Sequence, residues 1–220
     1  MSGKNIKPEI ILNQKVSLAQ VAVIALLIIC GGALLLFVVS GTWPALVAVE
    51  SDSMSPNLNT GDMVLIVQKD RFGSLMTADE ARASGRMTLG GYGDVIVYTP
   101  NGNTHITPLL HRIVSRVNET AAIEQYAFTP EYVIGGYITK GDNNNAVDQT
   151  FSFNGIGRVY PVKEEWVSGK ALFAIPFVGY LLLNVWPISV IILALLLLYE
   201  GIGRRADRKE EREKKEKKEE

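Results

Sequence analysis

Two long apolar runs, one near each end of the chain, frame a middle stretch where hydrophobic and polar positions alternate over short distances. From Leu18 to Val39 only Gln20, Cys30 and the Gly31-Gly32 pair interrupt the apolar pattern. A helix of that length, rising about 1.5 Å per residue, crosses the ~30 Å hydrocarbon core of a bilayer. It is also longer than the ~7–15-residue apolar core of a cleavable leader. Residues 18–40 are therefore expected to form a retained transmembrane helix, behind a cytoplasmic tail at 1–17.

The second run covers 171–201. Pro176, Asn184 and Pro187 interrupt its first half, whereas Ile188 to Tyr199 is almost purely aliphatic. The expected form is a spanning helix from about Val178 to Gly201, kinked at Pro187. The alternative lays Ile175 to Asn184 along the interface. Lys4, Lys7 and Lys15 precede the first run, and Arg204, Arg205, Arg208 and Lys209 follow the second. Positive residues at membrane ends favour the cytoplasmic side. Both termini are thus expected inside, and residues 41–170 outside, with Trp43 and Trp166 as interfacial anchors. The segment 202–220 alternates acidic and basic residues without a large apolar one after Ile202, and reads as a solvated cytoplasmic tail.

Short β-rich runs bounded by turn residues fill the middle. Met63 to Val67 follows Gly61-Asp62, and Val95 to Tyr98 follows Gly93-Asp94 and stops at Pro100-Asn101-Gly102. His111 to Val117 alternates, and Tyr132 to Thr139 is rich in β-branched and aromatic residues. One short helix is expected near Ala78 to Ala83, with Thr77 and Glu80 placed for a capping box. The fold class that follows is mainly β: a compact β-barrel-like domain at 41–170, outside the membrane, flanked by N- and C-terminal transmembrane helices.

Composition narrows the chemistry. The formal net charge of −1 gives no global field toward nucleic acid, which is not expected as a partner. One cysteine excludes an intramolecular disulfide, and one Cys with two His cannot close a structural zinc site. No metal or cofactor is expected. GGYGD at 90–94 precedes a strand rather than a helix, so it reads as a turn and not a phosphate loop. Asn118-Glu119-Thr120 forms a glycosylation sequon.

Serine hydrolysis needs a hydroxyl nucleophile, a base and an acid that orients the base. The histidine base is either His105, in a polar turn-like stretch, or His111, which opens an apolar strand. A lysine base, Lys140 or Lys69, is the competing mechanism and would have to lose its proton by burial.

The segments ESDSMSPNL, LLHRIV and TKGDNNNAVDQ, in that order behind an N-terminal anchor, resemble the motif boxes of type I signal peptidases. They are most similar to the histidine-containing branch found in archaea, the endoplasmic reticulum and some Gram-positive bacteria. The resemblance covers Ser51 to Asp62, Gly93 to Val117 and Tyr137 to Asp148. It implies a membrane-bound endopeptidase that removes signal peptides from preproteins, with small residues preferred at −1 and −3. It implies Ser53 as nucleophile, His111 as general base and Asp148 as the orienting acid, with Asp142 the second candidate for that role. Ser51 would assist an oxyanion hole together with the backbone N–H of Ser53. Met54 and the strand from Met63 to Val67 are candidates for the walls of the substrate pockets. Many relatives have Gly between the two serines and an acidic residue after the Met, where this chain has Asp52 and Ser55. Asp52 would raise the basicity of His111 if it pointed inward. The stretch from Arg71 to Gly91 reads as a surface insertion.

Overall fold

The computed structural model describes residues 18–128, 135–153, 155 and 157–219. The basic tail with Lys4, Lys7 and Lys15, and the first three residues of the expected strand at Tyr132–Thr139, lie outside the described residues. The chain divides into two units, 1–39 and 40–220.

The described residues of the first unit belong to helix α1 (Leu18–Ser40), which carries no charged side chain and whose last residue falls in the second unit. Within Ala19–Ser40 its most apolar stretch has a mean hydropathy of 3.1 and no buried residue, and only the terminal Ser40 is buried. A helix apolar all round is stable only in apolar surroundings, and this one is long enough to cross a membrane.

In the second unit one six-stranded antiparallel sheet holds the core. Its strands are β1 (Leu46–Ala48), β2 (Met63–Val67), β5 (Val95–Tyr98), β6 (Leu109–Val117), β7 (Gly136–Lys140) and β10 (Val167–Ile175). Their spatial order is β1-β2-β10-β5-β6-β7, so β1 and β7 form the edges. Two two-stranded ribbons lie apart: β3 (Met87–Thr88) with β4 (Gly91–Tyr92), and β8 (Ser152–Phe153) with β9 (Gly157–Arg158). The mainly β class expected from the turn-punctuated middle is what the structure has. Helix α2 (Ala78–Ser84) begins with the expected capping box between Thr77 and Glu80. Helix α3 (Glu119–Tyr126) was not expected; the side chain of Asn118, the sequon residue, accepts from Ala121 N–H and caps it.

Both faces of the sheet are covered, because alternation sends successive residues to opposite sides. One face packs Met54, Leu58, Val64, Ile66, Val95 and Val97. The other packs Ile96, Tyr98, Ile113, Tyr137, Val162 and Val167.

The second apolar run divides differently from the expectation. Residues 171–175 are the end of β10: Ala171 and Ala174 pair with Ile66 and Val64 of β2, which supplies the backbone partners. Helix α4 (Gly179–Leu183) follows, then α5 (Val185–Glu219). The break between them falls at Asn184, with φ −117° and ψ 27°. Pro187 sits in the first turn of α5, where a missing N–H forfeits no helical bond, so it does not produce the expected kink. Val185–Arg205, with mean hydropathy 2.2, is the second helix long enough to cross a membrane.

α4 packs on the turn that closes the loop 51–62. Asp62, buried, accepts from Asn59 N–H at 2.9 Å and from Phe177 N–H at 3.3 Å. Gly61, at φ +90°, lies under the Tyr180 ring so closely that a Cβ would fall 2.1 Å from Cε2. Gly61→Ala is expected to cost at least about 1 kcal/mol in thermal unfolding, from the positive φ and the ring together. The cost should shrink in a Tyr180→Ala background; an equal cost there would show that the ring contact carries none of it.

Candidate active site

Strand register decides which side chains meet. In β6, His111 lies opposite Ile96 and Arg112 opposite Val95, while Ile113 lies opposite Thr139 of β7. His111, Ile113, Ile96, Tyr98 and Thr139 therefore share one face, and Arg112 and its partner Lys140 share the other.

On the first face Asp148, 0% exposed, comes up from the turn Asp148–Thr150. Its Oδ2 lies 2.7 Å from His111 Nδ1, accepts the Thr139 hydroxyl at 2.7 Å and accepts the Tyr98 hydroxyl at 2.9 Å. Oδ1 has no hydrogen-bond partner among the described residues. With a carboxylate on one side, the imidazole carries its proton on Nδ1 and donates to Asp148, leaving Nε2 as an acceptor. Nε2 is 3.1 Å from Ser53 Oγ, and Ser51 Oγ is 3.2 Å from the same atom. Burial, and next the charge of Asp148, push the Tyr98 phenol well above its ordinary value, so it remains a donor.

Ser53 is held by its backbone. It lies in the single turn Asp52–Met54, and its carbonyl accepts from Asn143 N–H at 2.9 Å. The Asp52 carbonyl accepts from the Asn143 side chain at 3.1 Å. Gly141 makes this approach possible, since a Cβ there would stand 2.5 Å from Ser53 O. Met54, 1% exposed, plugs the loop into the core and offers no surface to a substrate, unlike the expectation for it. Val64 to Val67 is buried likewise, and only Met63 of that strand is half-buried.

The structure brings Ser53, His111, Asp148 and Ser51 together and leaves the other candidates apart. Asp142 faces Arg112 rather than the imidazole: Nε and Nη2 donate to its two oxygens at 2.8 and 2.7 Å, and Asn57 donates at 2.8 Å. Arg112 also donates to the carbonyls of Thr88, Leu89 and Gly93, pinning the β3–β4 ribbon. Lys140 projects on the Arg112 face, opposite His111. Lys69 pairs with Glu164 at 3.3 Å and Asp70 at 3.7 Å. His105 is exposed in its loop. Asp52 does not point inward; its carboxylate accepts from Thr60 at 2.8 Å on the exposed side of the turn. The Ser55 hydroxyl donates to Asn59, as a turn residue does.

Tyr98 and Thr139 were not singled out from sequence. The motif VIVY marks a strand, but only the register with β6 and β7 places its last residue and Thr139 beside Asp148.

No model of a known protein family matches the chain. Among curated proteins it is similar to the signal peptidase complex catalytic subunit SEC11 of Tuber melanosporum, 28% identical over 177 residues, 80% of each chain. The subunit of the same name from Yarrowia lipolytica is 30% identical over 146 residues, 66% of each chain. That of Aspergillus terreus is 27% identical over 179 residues, 76% of this chain and 80% of the relative.

Asp142 and Asp148 are separable by experiment. Asp142→Ala strands the Arg112 guanidinium and is expected to destabilise the domain by about 3 kcal/mol, at the low end for a buried pair because Asp142 keeps 12% exposure. Thermal unfolding measures this, and an unchanged midpoint would contradict the structural role given to that pair.

Proposed function

Because the chain belongs to the type I signal peptidase family, in its histidine-containing branch, we propose that it is a membrane-bound serine endopeptidase that removes signal peptides from secreted preproteins. The observation that carries this reading is the continuous relay from Ser53 Oγ through His111 to Asp148. In it Ser53 attacks the scissile carbonyl while His111 Nε2 takes its proton. Asp148 holds the Nδ1 proton and stabilises the imidazolium. His111 then gives its proton to the leaving amine, and later takes one from the water that releases the acyl group. The developing oxyanion is met by the Ser53 N–H and, after rotating away from the nucleophile, by the Ser51 hydroxyl. Loss of one such donor typically costs about 10²–10³ in turnover.

Small side chains at −1 and −3 would enter the apolar surface beside the nucleophile loop, where Val47, Leu110 and Ala174 pack half-buried against the cluster that contains Met54. An extended substrate could add to an unpaired sheet edge. The two apolar helices would span the bilayer, with both termini cytoplasmic and the sheet domain on the opposite side; Arg204 and Arg205 at the end of the second span support that orientation. The relatives' name is that of a complex's catalytic subunit. This chain carries all three reacting groups itself, so partner subunits would serve substrate presentation rather than the chemistry.

The test is cleavage of a preprotein with an Ala-x-Ala site by the purified full-length protein in detergent. Cleavage after the last Ala by wild type should fall at least about 10³-fold in Ser53→Ala and His111→Ala, and Lys140→Met should leave it intact. Activity surviving in His111→Ala would overturn the serine–histidine mechanism. A silent wild type, also silent with membranes and candidate partners added, would leave a binding domain in place of a protease.

A further inference from the structure

We propose that Tyr98 tunes the basicity of His111: by donating to the Asp148 oxygen that the imidazole uses, it draws charge from that oxygen and keeps His111 free to accept a proton at lower pH. This rests on the catalytic reading above and assigns a positioning residue to it, one that acts through Asp148 and touches no substrate.

Three observations carry the proposal. First, the contact is specific: three donors converge on Oδ2 of Asp148, and Oδ1 takes none of them. Every bond that Tyr98 makes to this carboxylate therefore competes directly with the support of the imidazolium. Second, the hydroxyl has nowhere else to send its proton. Tyr98 is fully buried among Ile96, Ile113, Val159, Val162 and Val167, and among the described residues the other group hydrogen-bonded to its hydroxyl is that of Thr139, at 3.2 Å. Thr139 is the donor in both of its contacts, to Asp148 Oδ2 at 2.7 Å and to the Tyr98 oxygen at 3.2 Å, so the Tyr98 proton is directed to Asp148. Third, the phenol stays protonated, since burial and the Asp148 charge both oppose its ionisation.

Other charged groups around the imidazole are already committed elsewhere. Lys170 of β10 shares the sheet face, opposite Ile96, but its ammonium is spent on the Gly73 carbonyl. Tyr137 of β7 donates to Glu164. From the nucleophile loop, Asp52 is engaged by Thr60, and Ser51 and Ser53 are neutral hydroxyls. Arg112 and Asp142 neutralise each other on the opposite face, where Lys140 also projects. Gln149, behind Asp148, is uncharged and binds Thr139. Tyr98 is thus a donor whose removal changes the charge on Oδ2 without touching the imidazole, while Thr139 remains to hold the carboxylate in place.

A hydrogen bond to a charged group stabilises that charge and weakens its pull on a neighbour. Without the phenol, Asp148 would favour the imidazolium more strongly. The folded-state basicity of His111 would rise, and the neutral, active form would be lost at a higher pH on acidification. Tyr98→Phe keeps the ring and removes only the hydroxyl.

The experiment is the pH profile of kcat/KM for preprotein cleavage by wild type and Tyr98→Phe, each as the full chain, with Ser53→Ala as the blank. The acid limb is expected to move up by roughly half to one pH unit, with KM unchanged on the plateau and kcat within about tenfold of wild type. A limb that stays put or moves down overturns the inference, including the case where kcat falls uniformly because packing was lost. Thermal unfolding of both proteins identifies that case. If wild type and blank are indistinguishable, the protease reading fails; if only the limb is unmoved, the protease reading stands and this inference alone falls.

Discussion

A carboxylate removed from water organises the half of the sheet that carries the candidate site. Burying an ion costs several kcal/mol unless hydrogen bonds replace its hydration, and Asp148 obtains those bonds from three adjacent strands: Tyr98 on β5, His111 on β6 and Thr139 on β7. Because successive strand residues face opposite sides, a slip of one residue would turn a donor away. The register that satisfies the core, with Ile96 and Ile113 on the same face, is therefore the register that satisfies Asp148. Fold and site are one constraint, imposed once by alternation and once by the demand of a buried charge.

Ser53, the proposed nucleophile, arrives from another direction and is fixed by different forces. Met54 and Leu58 bury the loop in the opposite face of the sheet, while α4 and Asp62 close its far end. Between them the backbone at Ser53 rests on Gly141 and Asn143. These two arms are joined by one short segment leaving β7. Gly141 to Asn143 seats Ser53, and Asp148, five residues beyond Asn143, supports His111. The spacing of the GDNN-x-x-x-D box thus has a mechanical reading: a single loop sets both ends of the relay, so their separation does not depend on distant parts of the domain.

Much of this was legible along the chain. Strands 63–67 and 95–98 and helix α2 follow from period, turn residues and capping, and the three motif segments pointed to Ser53, His111 and Asp148. What could not be read was register. Asp142 and Asp148 are both acids in one box, and only the opposite faces of His111 and Arg112 separate their surroundings. β10 was hidden because its last residues, Ala-Leu-Phe-Ala-Ile, are apolar on both faces, and hydropathy does not distinguish such a strand from the start of a membrane segment. α3 was missed because the polar triplet at Asn118 reads as a surface loop until its cap bond is seen. Met54 was placed on a pocket wall because neighbourhood in sequence was taken for neighbourhood in space; the turn Asp52–Met54 buries its side chain in the core instead.

The adjacency of His111 and Arg112 shows why register matters for chemistry as well as for packing. A guanidinium is always charged, and facing the imidazole it would oppose the positive charge that His111 must take up in the proposed reaction. The pleat sends it to the other face, where the bidentate pair with Asp142 cancels its charge. The carboxylates are consequently sorted by partner. Asp142 neutralises a permanent cation and secures the β3–β4 ribbon through it. Asp148 is left as the counter-charge for the transient cation of the proposed reaction. Had both acids faced the imidazole, the guanidinium of Arg112 would have been left without its counter-charge on the other face. Two adjacent basic residues on one strand and two acids in one loop thus resolve into one structural pair and one pair proposed to react, separated by the thickness of a sheet.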